Sequence, residues 1–217
     1  MSNAIFLSAG VPDPIRGAEY AKTADSVAIT AAVSALVHVS LGRRPLVWGG
    51  HPAITPMIWV VAEDMGLEYG SWVRLYQSKF FKDEFPEDNA RFNNVTYTDS
   101  VNDSREASLL AMREQMFREH RFDAAVFIGG MRGILDEFDL FRSAHPSATV
   151  VPVLSTGGAA LELQDRMRSG SDDLFNDLDY VGLLHRHLNI SVKEERYIRP
   201  TDQPADIQAR YWSPPKR

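Results

Sequence analysis

The segment Asp123-Ala-Ala-Val-Phe-Ile-Gly-Gly-Met-Arg-Gly-Ile-Leu-Asp-Glu137 constrains the fold more than any other part of the chain. Its apolar run reads as a buried strand. The run ends in Gly129-Gly130, and helical spacing follows from about Arg132. Glycines at a strand end let the backbone turn sharply and approach a ligand without a Cβ in the way. A helix that starts there points its free N–H groups and its positive dipole end into the same space, which favours anions. The device recurs. Ile5-Phe-Leu-Ser-Ala-Gly10, Leu46-Val-Trp-Gly-Gly50 and Val150-Val-Pro-Val-Leu-Ser-Thr-Gly-Gly158 are all apolar runs ending in small residues. Several such turns predict strand ends gathered on one rim, where open α/β sheets bind ligands.

The remaining pattern fits that expectation. Strands are predicted at 4–8, 45–48, 72–76, 95–98, 123–128 and 149–153. Helices are predicted at 23–41, 53–65, from Asp103 or Ser104 to about His120, at 132–143, 158–168 and 174–188. Residues 77–93 read as a surface excursion with aromatic anchors, and the polar tail from Pro200 as extended. The alternation of strands and helices gives an α/β fold: three layers, Rossmann-like, with a mostly parallel sheet flanked by helices.

Composition excludes several chemistries. The chain of 217 residues has no cysteine, which removes thiol nucleophiles, disulfides and cysteine-bound metals. A net charge of 23 − 29 = −6 argues against general nucleic-acid binding. No run approaches the ~20 apolar residues of a membrane span. The N-terminus enters a strand with no signal-peptide pattern, so a cytoplasmic location is expected. The first turn, Ser8-Ala-Gly-Val-Pro12, lacks the dinucleotide fingerprint, and neither a P-loop nor a Gly-x-Ser-x-Gly elbow occurs. His185 and His187 lie two apart on a predicted helix and face different ways, so no metal site is expected there. No cofactor is expected either.

Candidate ligand contacts follow from the turns: Ser8, Ala9, Gly10, Arg16, Gly49, Gly50, His51, Thr55, Gly129, Gly130, Met131, Arg132, Gly133, Glu137, Ser155, Thr156, Gly157 and Gly158. Each has a second reading. The glycines either cradle phosphate or allow tight strand–helix packing. Arg132 meets a bound anion or is simply solvated. Arg16 clamps a phosphate or is an ordinary loop arginine. His51 donates to a ligand or packs on Pro52. Thr55, Ser155 and Thr156 contact phosphate or cap helices. Glu137 faces the pocket or sits on the helix surface, and Arg113 belongs to the site or to a solvated face. Trp48, Trp59 and Trp72 are core or subunit-contact candidates. Phe80 and Phe81, in a polar loop, look like exposed aromatics at an interface, which points to a homo-oligomer.

With these motifs in order, the chain resembles the SLOG superfamily, the Rossmann-like group related to the LOG phosphoribohydrolases, the DNA-processing protein DprA and the N-terminal domains of TRPM channels. LOG enzymes carry Pro-Gly-Gly-x-Gly-Thr-x-x-Glu. The matching segment here is Ile128-Gly-Gly-Met-Arg-Gly-Ile-Leu-Asp-Glu137, with one extra residue. Phe6-Leu-Ser-Ala-Gly-Val-Pro-Asp-Pro14 and Val47-Trp-Gly-Gly-His-Pro-Ala-Ile-Thr-Pro56 look closest to modules of bacterial defence and nucleotide-signalling systems. The resemblance implies a nucleotide-ligand domain over 1–190 with a C-terminal extension at 191–217. It implies binding or sensing of a nucleotide-derived small molecule, including an NAD-derived or cyclic ADP-ribose-like second messenger in anti-phage defence. A homo-oligomer or a separate effector protein would then give the output. The alternative it implies is a nucleoside 5′-monophosphate phosphoribohydrolase that cleaves the N-glycosidic bond, with Glu137 and Arg113 catalytic. Ile134 in place of the motif threonine, and Arg113 without an adjacent lysine, favour binding over hydrolysis.

Overall fold

The structure is a computed structural model that describes residues 3–85, 87–167 and 171–214. Expectations at 1–2, 86, 168–170 and 215–217 lie outside the described residues. The elements run β1 (Ala4–Gly10), α1 (Ala18–Ala21), α2 (Ser26–Ser40), β2 (Leu46–Trp48), α3 (Thr55–Asp64), α4 (Tyr69–Trp72), β3 (Val73–Ser78), β4 (Val95–Thr98), α5 (Arg105–Glu119), β5 (Phe122–Gly129), α6 (Arg132–Ala144), β6 (Thr149–Val153), α7 (Asp173–Asn176) and α8 (Tyr180–His187). The six strands form one sheet in the order β4-β3-β2-β1-β5-β6, and every neighbouring pair is parallel. The fold is the expected three-layer α/β architecture.

A parallel sheet covered on both faces needs strands that are apolar on both sides. β1 shows the division of labour. Ile5 and Leu7 enter a core shared with α2, α3 and α8, while Ala4 and Phe6 enter a second core against α5 and α6. Phe6 stacks on Phe141 with ring centroids 5.6 Å apart and meets Phe117 edge-on at 4.9 Å. By the same alternation Ser8 points to the α5/α6 side, so a polar group is carried into that layer at the strand's end.

Helix starts follow ordinary capping. The Asp25 carboxylate accepts from the Val27 and Ala28 amides at the head of α2, and Ser104, not Asp103, caps α5 by accepting from Ala107 at 3.3 Å. Two predicted helices differ. Gly158–Arg166 is a 3-10 helix, its first turn pinned where Ala159 N–H donates to Gly130 O at 2.9 Å. The segment 174–188 is split into α7 and α8 because aspartates claim the backbone between them. Asp177 accepts from the Asp179 amide at 2.8 Å, and Asp179 caps α8 through the Gly182 amide at 3.0 Å.

The tail is not simply extended. It makes 3-10 turns at Pro200–Asp202 and Gln208–Arg210. Glu194, only 2% exposed, pairs with Arg44 at 2.7 Å and with Arg210 at 3.7 Å, and its carbonyl accepts from Arg43 Nε at 2.7 Å. Trp72 Nε1 donates to the carbonyls of Tyr197 and Ile198 at 3.1 and 3.0 Å. A buried ion pair and an indole donor therefore hold the tail on the body of the domain. No helix among the described residues is long and apolar enough to cross a membrane.

Candidate functional site

The chain order leads outward from β1 through β2, β3 and β4, then returns to β5 and β6 on the other side. The direction reverses between β1 and β5, and such a switch point opens a crevice at the carboxyl ends of the strands. A cavity of about 490 Å³ lies there, walled by the turns after β1, β2, β3 and β5 and by the start of α5. Its size suits a small-molecule ligand.

One wall carries an ion pair held by three elements. Arg113 of α5 donates through Nε to Glu137 Oε1 at 2.9 Å, and Ser8 Oγ at the end of β1 donates to Glu137 Oε2 at 2.5 Å. The two charged side chains are 11% and 17% exposed. Gly133 makes the arrangement fit: a Cβ there would come within 3.2 Å of Arg113 Nη2. Both carboxylate oxygens are thus occupied by donors on a partly dehydrated wall, which keeps the group fixed in orientation.

The glycine turns are built on backbone contact. Gly129 and Gly130 have φ of +57° and +73°. Their amides are already used, Gly129 N–H by Thr156 Oγ1 at 2.9 Å and Gly130 N–H by Gly10 O at 2.7 Å. What remains is the head of α6. Met131 precedes its first turn with no side-chain cap, and Met131, Gly133 and Ile134 line the cavity. An uncapped helix start offers N–H groups and a positive dipole end.

His51 lies in the turn after β2. Its Nδ1 accepts from the Ala53 amide at 3.2 Å, so the neutral ring carries its proton on Nε2. That atom lies beside Gly10, where a Cβ would sit 3.5 Å from it. Burial pushes the His51 pKa below its ordinary value; the Glu137 charge acts in the opposite sense. At neutral pH the ring is an uncharged donor at the cavity wall. Arg16, exposed and paired with Asp13 at 2.8 Å, stands among the lining residues.

The structure gathers Ser8, Ala9, Gly10, Arg16, Gly49, Gly50, His51, Arg113, Gly130, Met131, Gly133 and Glu137 around this one space. Other expected residues sit elsewhere. Thr55 is fully buried and donates to the His51 carbonyl at 3.1 Å. Arg132 is on the surface, paired with Asp136 at 3.1 Å. Gly129 lies beneath the wall, facing Ile29. The turn after β6 is the main departure. β6 is the edge strand beyond β5, so its turn packs under the β5 turn. There Ser155 contacts Tyr180 at 3.2 Å, Thr156 is buried, and Gly157 and Gly158 press on backbone atoms.

Sequence reasoning missed the opposite wall. Gln77, Phe80, Phe81, Phe85, Arg105 and Met112 all line the cavity. The segment Lys79–Glu84 is a 3-10 turn that begins where Ser78 Oγ accepts from the Phe80 amide. Phe80 and Phe81 are half-buried and line this wall, so the aromatics of this polar stretch face the cavity. The aromatic doublet was the available signal. Trp72 is core, and Trp48 is both core and cavity wall. His185 and His187 are apart in role: the first contacts the Ile190 carbonyl at 2.7 Å, the second Asp173 at 3.0 Å. Among the described residues no group of three or more His, Cys, Asp or Glu side chains is placed to hold a metal.

The fold and the rim cavity define a Rossmann-like α/β protein with a ligand-sized space at its switch point. Residues 19–188 match the model of the SLOG cluster3 family. The chain belongs to that family, and membership is consistent with a nucleotide-related role. No curated protein and no solved structure matches the chain. Ser8 and Gly10 lie ahead of the matched stretch, although they complete the same cavity.

Proposed function

We propose that the rim cavity binds a nucleotide-derived small molecule and that the chain acts as a sensor of it. The observation that carries this reading is the composition of the cavity at the switch point. One side offers the uncapped start of α6, the His51 Nε2 donor and Arg16, which suit a phosphate. The other side offers Phe80, Phe81 and Phe85, which suit a planar ring. In the defence or signalling setting that the family resemblance implies, binding would be read out by a change of assembly or by a separate effector protein.

A second reading has its own support: Arg113 and Glu137, the pair that cleaves N-glycosidic bonds in LOG enzymes, meet at 2.9 Å in the cavity wall. Two features weigh towards binding without cleavage. Both Glu137 oxygens are engaged by Ser8 and Arg113. Ile134 stands at the motif threonine, with its Cγ1 only 2.2 Å from where a Cβ on Gly130 would lie, so an apolar group fills the space beside the glycine turn.

A thermal-shift screen with nucleoside monophosphates, NAD, ADP-ribose and cyclic ADP-ribose isomers tests both, with mass spectrometry of each ligand afterwards. A ligand at a hundred times its Kd stabilises the native state by about 2.7 kcal/mol, a readily measured rise in Tm. A rise with the ligand recovered intact supports the sensor. A free base released by the wild type and not by Glu137→Ala establishes the hydrolase instead. No rise with any of them overturns the nucleotide reading.

A further inference from the structure

Gln77 ends β3 and is only 6% exposed, yet its carboxamide makes no hydrogen bond to any other described residue. Its amide nitrogen and oxygen are not sealed in the core: they stay open to the space of the cavity, where a ligand can reach them. The side chain lies in the cavity wall. Gly50 is shaped around it: a Cβ on Gly50 would come 1.9 Å from Gln77 Nε2 and 2.8 Å from its Cδ. A left-handed glycine, φ +66°, thus makes room for an amide that bonds to none of the other described residues.

The surroundings of this amide are aromatic. Phe80 and Phe81 meet edge-to-face at 5.0 Å, Phe85 belongs to the same cavity wall, and the Arg105 guanidinium lies 5.8 Å from the Phe81 ring. They border β3, whereas Glu137 belongs to the helix that follows β5. β3 and β5 are separated by β2 and β1, and three strand spacings of about 4.8 Å put roughly 14 Å between the two walls. We propose that Gln77 is the specificity-determining residue of the cavity, its carboxamide reading the hydrogen-bonding edge of a planar ring seated against Phe80, Phe81 and Phe85. This rests on the nucleotide reading above.

A carboxamide offers one acceptor and one donor side by side, so it matches a ring with a donor next to an acceptor, such as an amino group beside a ring nitrogen. A carboxylate in its place accepts twice and matches two adjacent donors. Calorimetric titration of wild type, Gln77→Glu and Gln77→Met with AMP, GMP and ribose 5-phosphate separates the possibilities. The expected result is a wild-type preference for AMP that Gln77→Glu shifts towards GMP by about tenfold or more. Gln77→Met should weaken both nucleotides and leave ribose 5-phosphate unchanged. If the wild type binds a nucleotide and both variants keep its AMP-to-GMP ratio within twofold, the assignment of Gln77 is overturned while nucleotide binding stands. If the wild type binds none of the three, the nucleotide reading itself fails, and this inference with it. Should either variant not fold, purine riboside 5′-monophosphate, which lacks the amino group, replaces it on the wild type. Binding about tenfold weaker than AMP is expected, and equal binding overturns the proposal.

Discussion

Gly50 and Gly157 share a φ of +66°, and at each a Cβ would come 1.9 Å from a neighbour. The neighbours differ. At Gly50 it is the tip of the Gln77 side chain; at Gly157 it is the carbonyl oxygen of Thr23. A side chain can rotate away, whereas a backbone carbonyl ahead of a capped helix cannot. The turns around them have diverged accordingly. The turn after β2 forms cavity wall. The turn after β6 is a weld: Gly157 N–H donates to Leu154 O at 3.0 Å, Gly158 N–H to Thr23 Oγ1 at 3.1 Å, and Thr156 Oγ1 accepts from Gly129 N–H at 2.9 Å. A strand ending in two glycines therefore marks crowding, and only the sheet order decides whether a ligand or the protein's own main chain does the crowding.

The sharpest way to break this comparison is alanine at the two positions. Gly157→Ala should cost about 3 kcal/mol or more, combining the left-handed φ with a main-chain clash. In urea denaturation this appears as a lower midpoint with an unchanged slope. A loss under about 1 kcal/mol would mean that the β6 turn is as forgiving as the other. Next in size is Thr156→Val, which keeps the shape and removes the hydroxyl. That hydroxyl donates to Val153 O at 2.6 Å and accepts from the Gly129 amide, so two backbone groups lose their partner. A loss of about 2 kcal/mol is expected, and Thr156→Ser should recover most of it. Gly50→Ala should cost only about 1–2 kcal/mol for the φ, since Gln77 can move. Its Tm should therefore lie above those of the first two variants.

The same contrast explains what could be read ahead of the fold. Strands β1, β5 and β6 are covered on both faces, so their apolar runs stand out in one dimension. Helices α2, α5 and α6 carry local capping or periodic signals. Glu137 and Arg113 could be named because the family resemblance marks both, the first by the glycine motif and the second by its place on the helix before that strand. Gln77 could not. It is a polar residue at a strand end, and its meaning depends on Gly50, which is distant in sequence and adjacent only through the β2–β3 pairing. Ser155, Thr156, Gly157 and Gly158 were drawn into the candidate site by their local pattern, because nothing in that pattern tells an edge strand from a central one. Glu194 escaped notice for the same reason: its partners Arg44 and Arg210 come from opposite ends of the chain.

The smallest expected effect concerns charge. The cavity turn contains a titrating group, His51, whereas residues 154–158 contain none. Burial lowers the His51 pKa in the folded state, and it lowers those of His120 and His145 likewise. The unfolded chain then binds more protons than the folded one just below the ordinary histidine pKa of about 6.5. Stability from these groups is complete above that pH and declines as pH falls towards the lower folded values. Asp173, held at about 2 by hydrogen bonds from Ser171, His187 and Arg186, has the same sign but acts only below the ordinary carboxylate range. Tm should therefore start to fall near pH 6.5, well before carboxylates titrate, and His51→Gln should make that fall shallower. An anionic ligand beside Nε2 favours the protonated ring, so its presence should flatten the wild-type profile further and leave that of His51→Gln unaltered. Superimposable profiles of wild type and His51→Gln, with and without ligand, would remove His51 from the ligand-facing side and leave the ligand-facing character of the β2 turn to Gly50 and Gln77.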